Sequence, residues 1–325
     1  VVLATLLFCA AVSTVFVVIY VRSKPRGTNN PPGFDEGVRR VTESVKFDLP
    51  EDTSLDEEQY AAWGIPSCDH SWTEQDLAFT VTKLRDLAST HPDHLPVFGS
   101  SKSGRVFAHL VDPTTLGLAQ GNDIPVGERA TTLAKGYADL TDLMAIYGSP
   151  NGPNDSGPVE QTLVELTGAI LRSNSALLDT GEQVLDATRN DESRRAIRLG
   201  GYKKLVHFGA VNLALVTSVV CQPRSLSGPG GLDSDRRQKL LEYAQAYGPA
   251  IAKHLSDSER KSIADAMNIY LDHDRSDPFR PKLVELRDAI LNAGPASTQQ
   301  ATTKADGEWQ EMAEVPSESL PLVEV

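Results

Sequence analysis

Histidine and cysteine are the residues best suited to chemistry in this 325-residue chain, which has seven of the first and three of the second. Two short segments combine them with carboxylates: Cys68-Asp69-His70 and His91-Pro92-Asp93-His94. Together they offer thiolate, imidazole and carboxylate, the donor types that zinc takes. Cys68, His70, His91, Asp93 and His94 are therefore the candidate metal ligands. A hydrolase or metal-dependent enzyme built on them is the alternative functional reading. The two segments bracket a helical stretch of about eighteen residues, which at 1.5 Å per residue spans ~27 Å. Unless the flanking loops fold back, they cannot share an ion. Placement beyond a helix C-terminus, where exposed carbonyls favour an imidazolium, accounts for His91 and Asp93 without any ligand.

The remaining motifs fall short of the chemistry they resemble. Gly99-Ser100-Ser101-Lys102-Ser103-Gly104 has the outer glycines of a phosphate loop, but Arg105 and Val106 stand where lysine and hydroxyl are required. The position of a nucleophile elbow's closing glycine holds Ser103, and a turn explains the segment. Asp272-His273-Asp274-Arg275-Ser276-Asp277 has calcium-type carboxylates without the glycine of an EF-hand loop, so helix capping before Pro278 is the simpler account. Asn154-Asp155-Ser156 matches a glycosylation sequon. His109, His207, His254 and His273 are scattered, and no catalytic set or cofactor motif emerges.

Position in the cell is more legible than activity. Val1 to Tyr20 carries no charge and is almost entirely apolar, the length a helix needs to cross ~30 Å of hydrocarbon, and Arg22, Lys24 and Arg26 end it. Its run into basic residues, without a small-residue cleavage site, favours an uncleaved anchor over a signal peptide. Positive charge after the anchor would keep the rest in the cytoplasm, and basic residues ahead of Val1 would reverse that. We expect an extracytoplasmic domain, because short N-terminal anchors commonly export the domain attached to them.

The net charge of -13 is concentrated in the flanks: residues 27–70 carry -7 and residues 295–325 carry -5. Such a distribution disfavours nucleic acid, and the flanks read as solvated linker and tail. Cys9 lies in the anchor, leaving Cys68 and Cys221 either as an exported disulfide or as two buried thiols.

The elements that must position any site are helices. Leu77, Val81, Leu84 and Ala88 follow a Ser71–Glu74 capping pattern, and Leu133, Tyr137, Leu140, Met144 and Tyr147 keep the same rhythm. Val159, Leu163, Leu166, Ile170 and Leu177 continue it, and Ser256–Glu259 opens another helix. Leu95–Phe98 and Val106–Val111 read as a small hairpin. Leu205–Gln222 is uncharged and at the minimum length of a span, but His207, Asn212, Thr217 and Ser218 favour a buried central helix.

The fold class expected is mainly α: an N-terminal transmembrane helix, then an α-helical bundle of roughly seven helices with at most a small β-hairpin. The domains are an anchor at 1–21, a basic juxtamembrane segment and acidic linker at 22–70, a helical domain at 71–294 and an acidic tail at 295–325. The function expected is that of a single-pass, membrane-anchored protein-interaction or sensing module, its partners being the membrane and another protein.

Overall fold

Side-chain caps decide where several of the helices begin. The computed structural model describes residues 53–120, 124–149, 157–221 and 233–294. Among them α1 spans Glu57–Ala62, α2 Glu74–Thr90, α3 Gly104–Leu110, α4 Val126–Tyr147 and α5 Gly157–Ala187. α6 spans Glu192–Cys221, α7 Ser234–Ala252, α8 Asp257–His273 and α9 Arg280–Leu291. Ser256 opens α8 as the sequence predicts: its hydroxyl accepts from the Glu259 amide, and the Glu259 carboxylate accepts from the Ser256 amide. α2 begins later than the Ser71–Glu74 pattern implies, with Thr73 as cap and Asp76 as its reciprocal partner. The cause is Trp72, which is buried and donates its indole N–H to the Ser67 carbonyl, anchoring the approach to the helix instead of its first turn.

Two further expectations are corrected. The described residues form no strand, so the hairpin is absent. Val106, Phe107 and Leu110 are buried at helical spacing within α3, while the amides of Val97 and Phe98 donate to the hydroxyls of Ser103 and Thr162. Those hydroxyls do the work of a partner strand. Residues 53–70, expected within the linker, fold onto the body. Asp56 and Gln59 cap α1, Tyr60 donates its hydroxyl to the His94 carbonyl at 2.7 Å, and Leu55, Ile65 and Cys68 join the core.

α5 is the spine. Val164, Leu171, Leu178 and Leu185 recur every seventh residue on one side and face a cluster built with α6, α7, α8 and α9. Leu166, Ala169, Ile170 and Leu177 join a second cluster with α2, α3 and α4. A helix with apolar rows on two sides must be covered on both, which is why the bundle wraps around it. Close approach of α7 needs Gly168, where a Cβ would lie 2.5 Å from the Tyr243 ring.

Paired contacts fix the helix directions. Glu160–Arg236 and Asp179–His254 set α5 and α7 parallel, and Val220–Arg237 with Gly209–Ile251 sets α6 antiparallel to α7. Gln245–Lys282 and Gly248–Leu286 make α9 parallel to α7, while Arg129–Gln183 places the start of α4 at the end of α5. The N-termini of α4 and α6 and the C-termini of α5, α7 and α9 therefore gather at one end of the bundle.

α6 is the one described helix long and apolar enough to cross a membrane, and it is internal, with 44% of its apolar window buried. Phe208, Leu213, Val216 and Val220 are buried, and Asn212 donates to the Tyr137 hydroxyl at 2.8 Å. This packing against α5, α7 and α8 favours the core-helix reading of Leu205–Gln222. The expected anchor at residues 1–21 lies outside the described residues, as do residues 22–52 and the tail at 295–325.

Candidate functional site

The first third of α6 leaves the bundle. Every residue from Glu192 to Gly201 is exposed or half-buried, and burial begins at Tyr202. The segment is launched by Asp191, whose carboxylate accepts from the Arg194 amide and pairs with its guanidinium. Arg194, Arg195, Arg198, Lys203 and Lys204 stand against Glu192 alone, a net charge of +4 over residues 192–204 in a chain of -13. Ile197 is 79% exposed on this arm, the most solvent-accessible large apolar side chain in the described molecule. Arg195 and Arg198 pair with no carboxylate among the described residues.

Beside the arm runs an open groove of about 690 Å³ between α4, the end of α5 and α6. Ala130, Ala134 and Ala138 recur every fourth residue, so small side chains form one strip of its lining, and Val184 adds to the apolar wall. Lys135 and Arg198 bring positive charge to it. Lys135 pairs with Glu74 at 3.2 Å, whereas Arg198 meets no carboxylate among the described residues. A concave, mostly apolar surface with a cationic side suits an acidic, amphipathic segment better than a small polar metabolite.

At the same end, His254 joins three helices. Its Nε2 lies 3.1 Å from Asp179 Oδ1 and its Nδ1 lies 2.7 Å from the Tyr202 hydroxyl. A carboxylate only accepts, so Nε2–H donates to Asp179, and in the neutral ring Nδ1 then accepts from Tyr202. Burial would raise the Asp179 pKa, but hydrogen bonds from His254 and Lys253 outweigh it and hold the carboxyl below its usual range. Ligand atoms of Asp179, Glu182 and His254 lie within 4.8 Å of one another, a metal-compatible trio. An ion there would have to displace Lys253 from Asp179 and disturb the Tyr202 contact. The His254 side chain has no accessible surface, so the carboxylate–imidazole–phenol chain acts as a pin joining α5 and α6 to the turn that follows α7.

The residues singled out in the sequence lie elsewhere. Cys68 is buried before α2, its carbonyl accepting from Arg105 at 3.0 Å, and burial pushes its thiol up to about 11. His70 is exposed. After α2, His91 and His94 stack at 5.0 Å, and the Asp93 carbonyl accepts from the Thr53 hydroxyl. His91 forms the C-cap of α2. Cys221 is likewise free and buried, its thiol pushed up to about 12 by burial, so Cys68 and Cys221 are two unpaired thiols in separate clusters.

Sequence reasoning missed the arm, although a +4 run in an acidic chain was a readable signal. It also missed the His254 pin, whose partners lie 75 and 52 positions away. Fold and site define a class: an α-helical bundle with a projecting basic helical arm beside an apolar groove. Comparison with protein-family models, curated proteins and solved structures finds no match to this chain.

Proposed function

We propose that this protein is a membrane-tethered interaction module whose arm and groove bind an acidic, amphipathic protein segment. The observation that carries the reading is the apolar groove lined by Arg198, which meets no carboxylate among the described residues, on an arm that also exposes Ile197. Arginine is among the residues that concentrate binding energy at interfaces. The tether itself is supported by the uncharged run Val1–Tyr20 and the basic residues after it. An extracytoplasmic position predicts that protease added to intact cells cleaves the tail near Glu318.

A peptide library on the immobilised full chain tests the binding surface, comparing the natural arm with R194E/R195E/R198E. Selection of acidic peptides bearing apolar residues at helical spacing, lost on charge reversal, supports the reading. Selection indifferent to charge, or surviving the reversal, counts against it.

The enzyme reading keeps one favourable observation, the closeness of Asp179, Glu182 and His254. In it the trio binds a divalent cation for hydrolysis. Metal analysis of the purified chain decides: a metal retained stoichiometrically and lost in His254→Gln supports it, and unchanged thermal stability in chelator opposes it.

A further inference from the structure

We infer that the resting occupant of the groove is the chain's own acidic segment Asp306–Val315. The inference rests on the proposed binding surface and names its ligand. Charge is the first argument. Residues 295–325 carry -5, with Glu308, Glu311 and Glu314 at every third position, and they belong to the same molecule as the +4 arm. Apolar content is the second: Trp309, Met312 and Ala313 fall at the helical i, i+3, i+4 spacing between those acids, matching a groove lined by alanines and Val184.

Position is the third argument. α9 runs parallel to α7 and delivers the chain to Gly294 at the end of the bundle from which the arm projects. Ala293 and Leu199 both pack against the same core cluster. From Gly294 to Glu308 the chain can extend ~46 Å at roughly 3.3 Å per residue. Neighbouring helices stand about 8–10 Å apart, so that reach covers several helix spacings. Tethering also raises the local concentration of the segment to roughly millimolar, so even a weak contact is occupied.

An anionic bilayer meets the arm's charge through its headgroups, which leave the apolar strip of Ala130, Ala134, Ala138 and Val184 without an apolar partner. An external acidic partner would then compete with this segment for the groove. In this arrangement the tail sets the threshold for partner binding.

The test uses the full chain in detergent with a fluorescein-labelled peptide of residues 305–318. Three forms are compared: wild type, the tail variant E308K/E311K/E314K, and the tail variant carrying R194E/R195E/R198E, each checked by circular dichroism for unchanged helix content. The expected result is at least tenfold tighter peptide binding by the tail variant than by wild type, abolished by the arm reversal. Equal affinity in wild type and tail variant overturns the inference. If the tail variant binds library-selected acidic peptides but not the 305–318 peptide, the binding surface stands and the self-docking fails. If it binds neither, both fail. Uptake of the tail variant by vesicles of phosphatidylserine and phosphatidylcholine, lost on arm reversal and without peptide binding, assigns the surface to lipid and overturns the proposal. Wild-type dimers that dissociate in the tail variant place the segment on a second copy, and overturn it also.

Discussion

The two ends of α6 use arginine in opposite ways. At the C-terminal end Arg237 of α7 is buried, donates its Nε–H to the Val220 carbonyl at 2.7 Å and grips Asp277 with both terminal nitrogens. Tyr270 donates to the same carboxylate at 2.6 Å, and the Phe279 ring lies 4.9 Å from the guanidinium. Every charge there has an answer, and the product is a closed helix terminus. At the N-terminal end Arg195 and Arg198 have no described carboxylate, and Ile197 stands in water. The same helix is thus a core element for its last two thirds and a presented surface for its first third. Arginine content alone says nothing of function, whereas its state of pairing separates a structural joint from an exposed arm.

The largest test of that contrast is a charge in the packed half. Leu213 has no accessible surface and sits among α6, α7 and α9, with its Cδ1 3.2 Å from the Cβ position of Gly248. Leu213→Asp buries an unpaired carboxylate, and the expected outcome is loss of the cooperative unfolding transition at neutral pH, read by circular dichroism.

Asp277→Ala comes next: leaving Arg237 buried without its partner is expected to destabilise by about 3–5 kcal/mol in urea titration. Burial alone would raise the Asp277 pKa, but hydrogen bonds from Arg237, Tyr270 and the Phe279 amide overcome it and hold it below the usual carboxylate range. The native pKa is therefore the lower one. The stabilisation is present above the unfolded carboxylate pKa of about 3.9, and is lost as pH falls below it, when the unfolded chain takes up the proton first. The difference in stability between wild type and D277A should accordingly narrow below about pH 4. A gap that widens on acidification would contradict the pairing.

His254→Phe is a milder break at the arm's end of the bundle. It removes both hydrogen bonds of the pin and leaves Tyr202 and Asp179 to find other partners, for a loss of about 1–3 kcal/mol in thermal or urea denaturation. An unchanged midpoint would mean that the pin contributes nothing to packing, and would return the trio to consideration as a binding site.

How much of the fold and of the site the sequence reveals depends on the reach of each signal. α2, α4, α5 and α8 announce themselves because apolar spacing and caps are local, and three or more turns of periodicity leave little ambiguity. α1 has six residues, too few to show a period, so an acidic composition hid a segment whose Tyr60 is buried. Val106–Val111 is apolar throughout, and a short run of that kind suits strand and helix alike until the buried spacing of Val106, Phe107 and Leu110 is known. The cysteines and histidines drew attention by chemical type, yet the groups that meet at His254 are united only by antiparallel and parallel helix pairing. The arm is hidden differently: it runs directly into the apolar stretch Leu205–Gln222 of the same helix, and exposure rather than composition separates Arg198 from Arg237.

The finest test lies at the joint between the two uses of α6. Gly200 and Gly201 are adjacent in the helix, with no atom within 4 Å of the Cβ each would carry as alanine. Glycine in a helix interior is less favourable than alanine by about 0.8–1 kcal/mol per residue, so the pair is a soft point where the helix can open locally. If arm and packed half are separate cooperative units, Gly200→Ala with Gly201→Ala should slow amide hydrogen exchange across residues 195–201 by roughly fifteen- to thirtyfold, the equivalent of about 1.6–2 kcal/mol. The urea midpoint of the whole domain should move little, because opening of the arm precedes global unfolding. A midpoint that rises by the full amount would show that the arm unfolds only with the bundle. The contrast between the two halves of α6 would then be one of exposure alone and not of stability. No movement in either measurement would mean that the arm is already lost before the transition, or that its helix gains nothing from alanine at this joint.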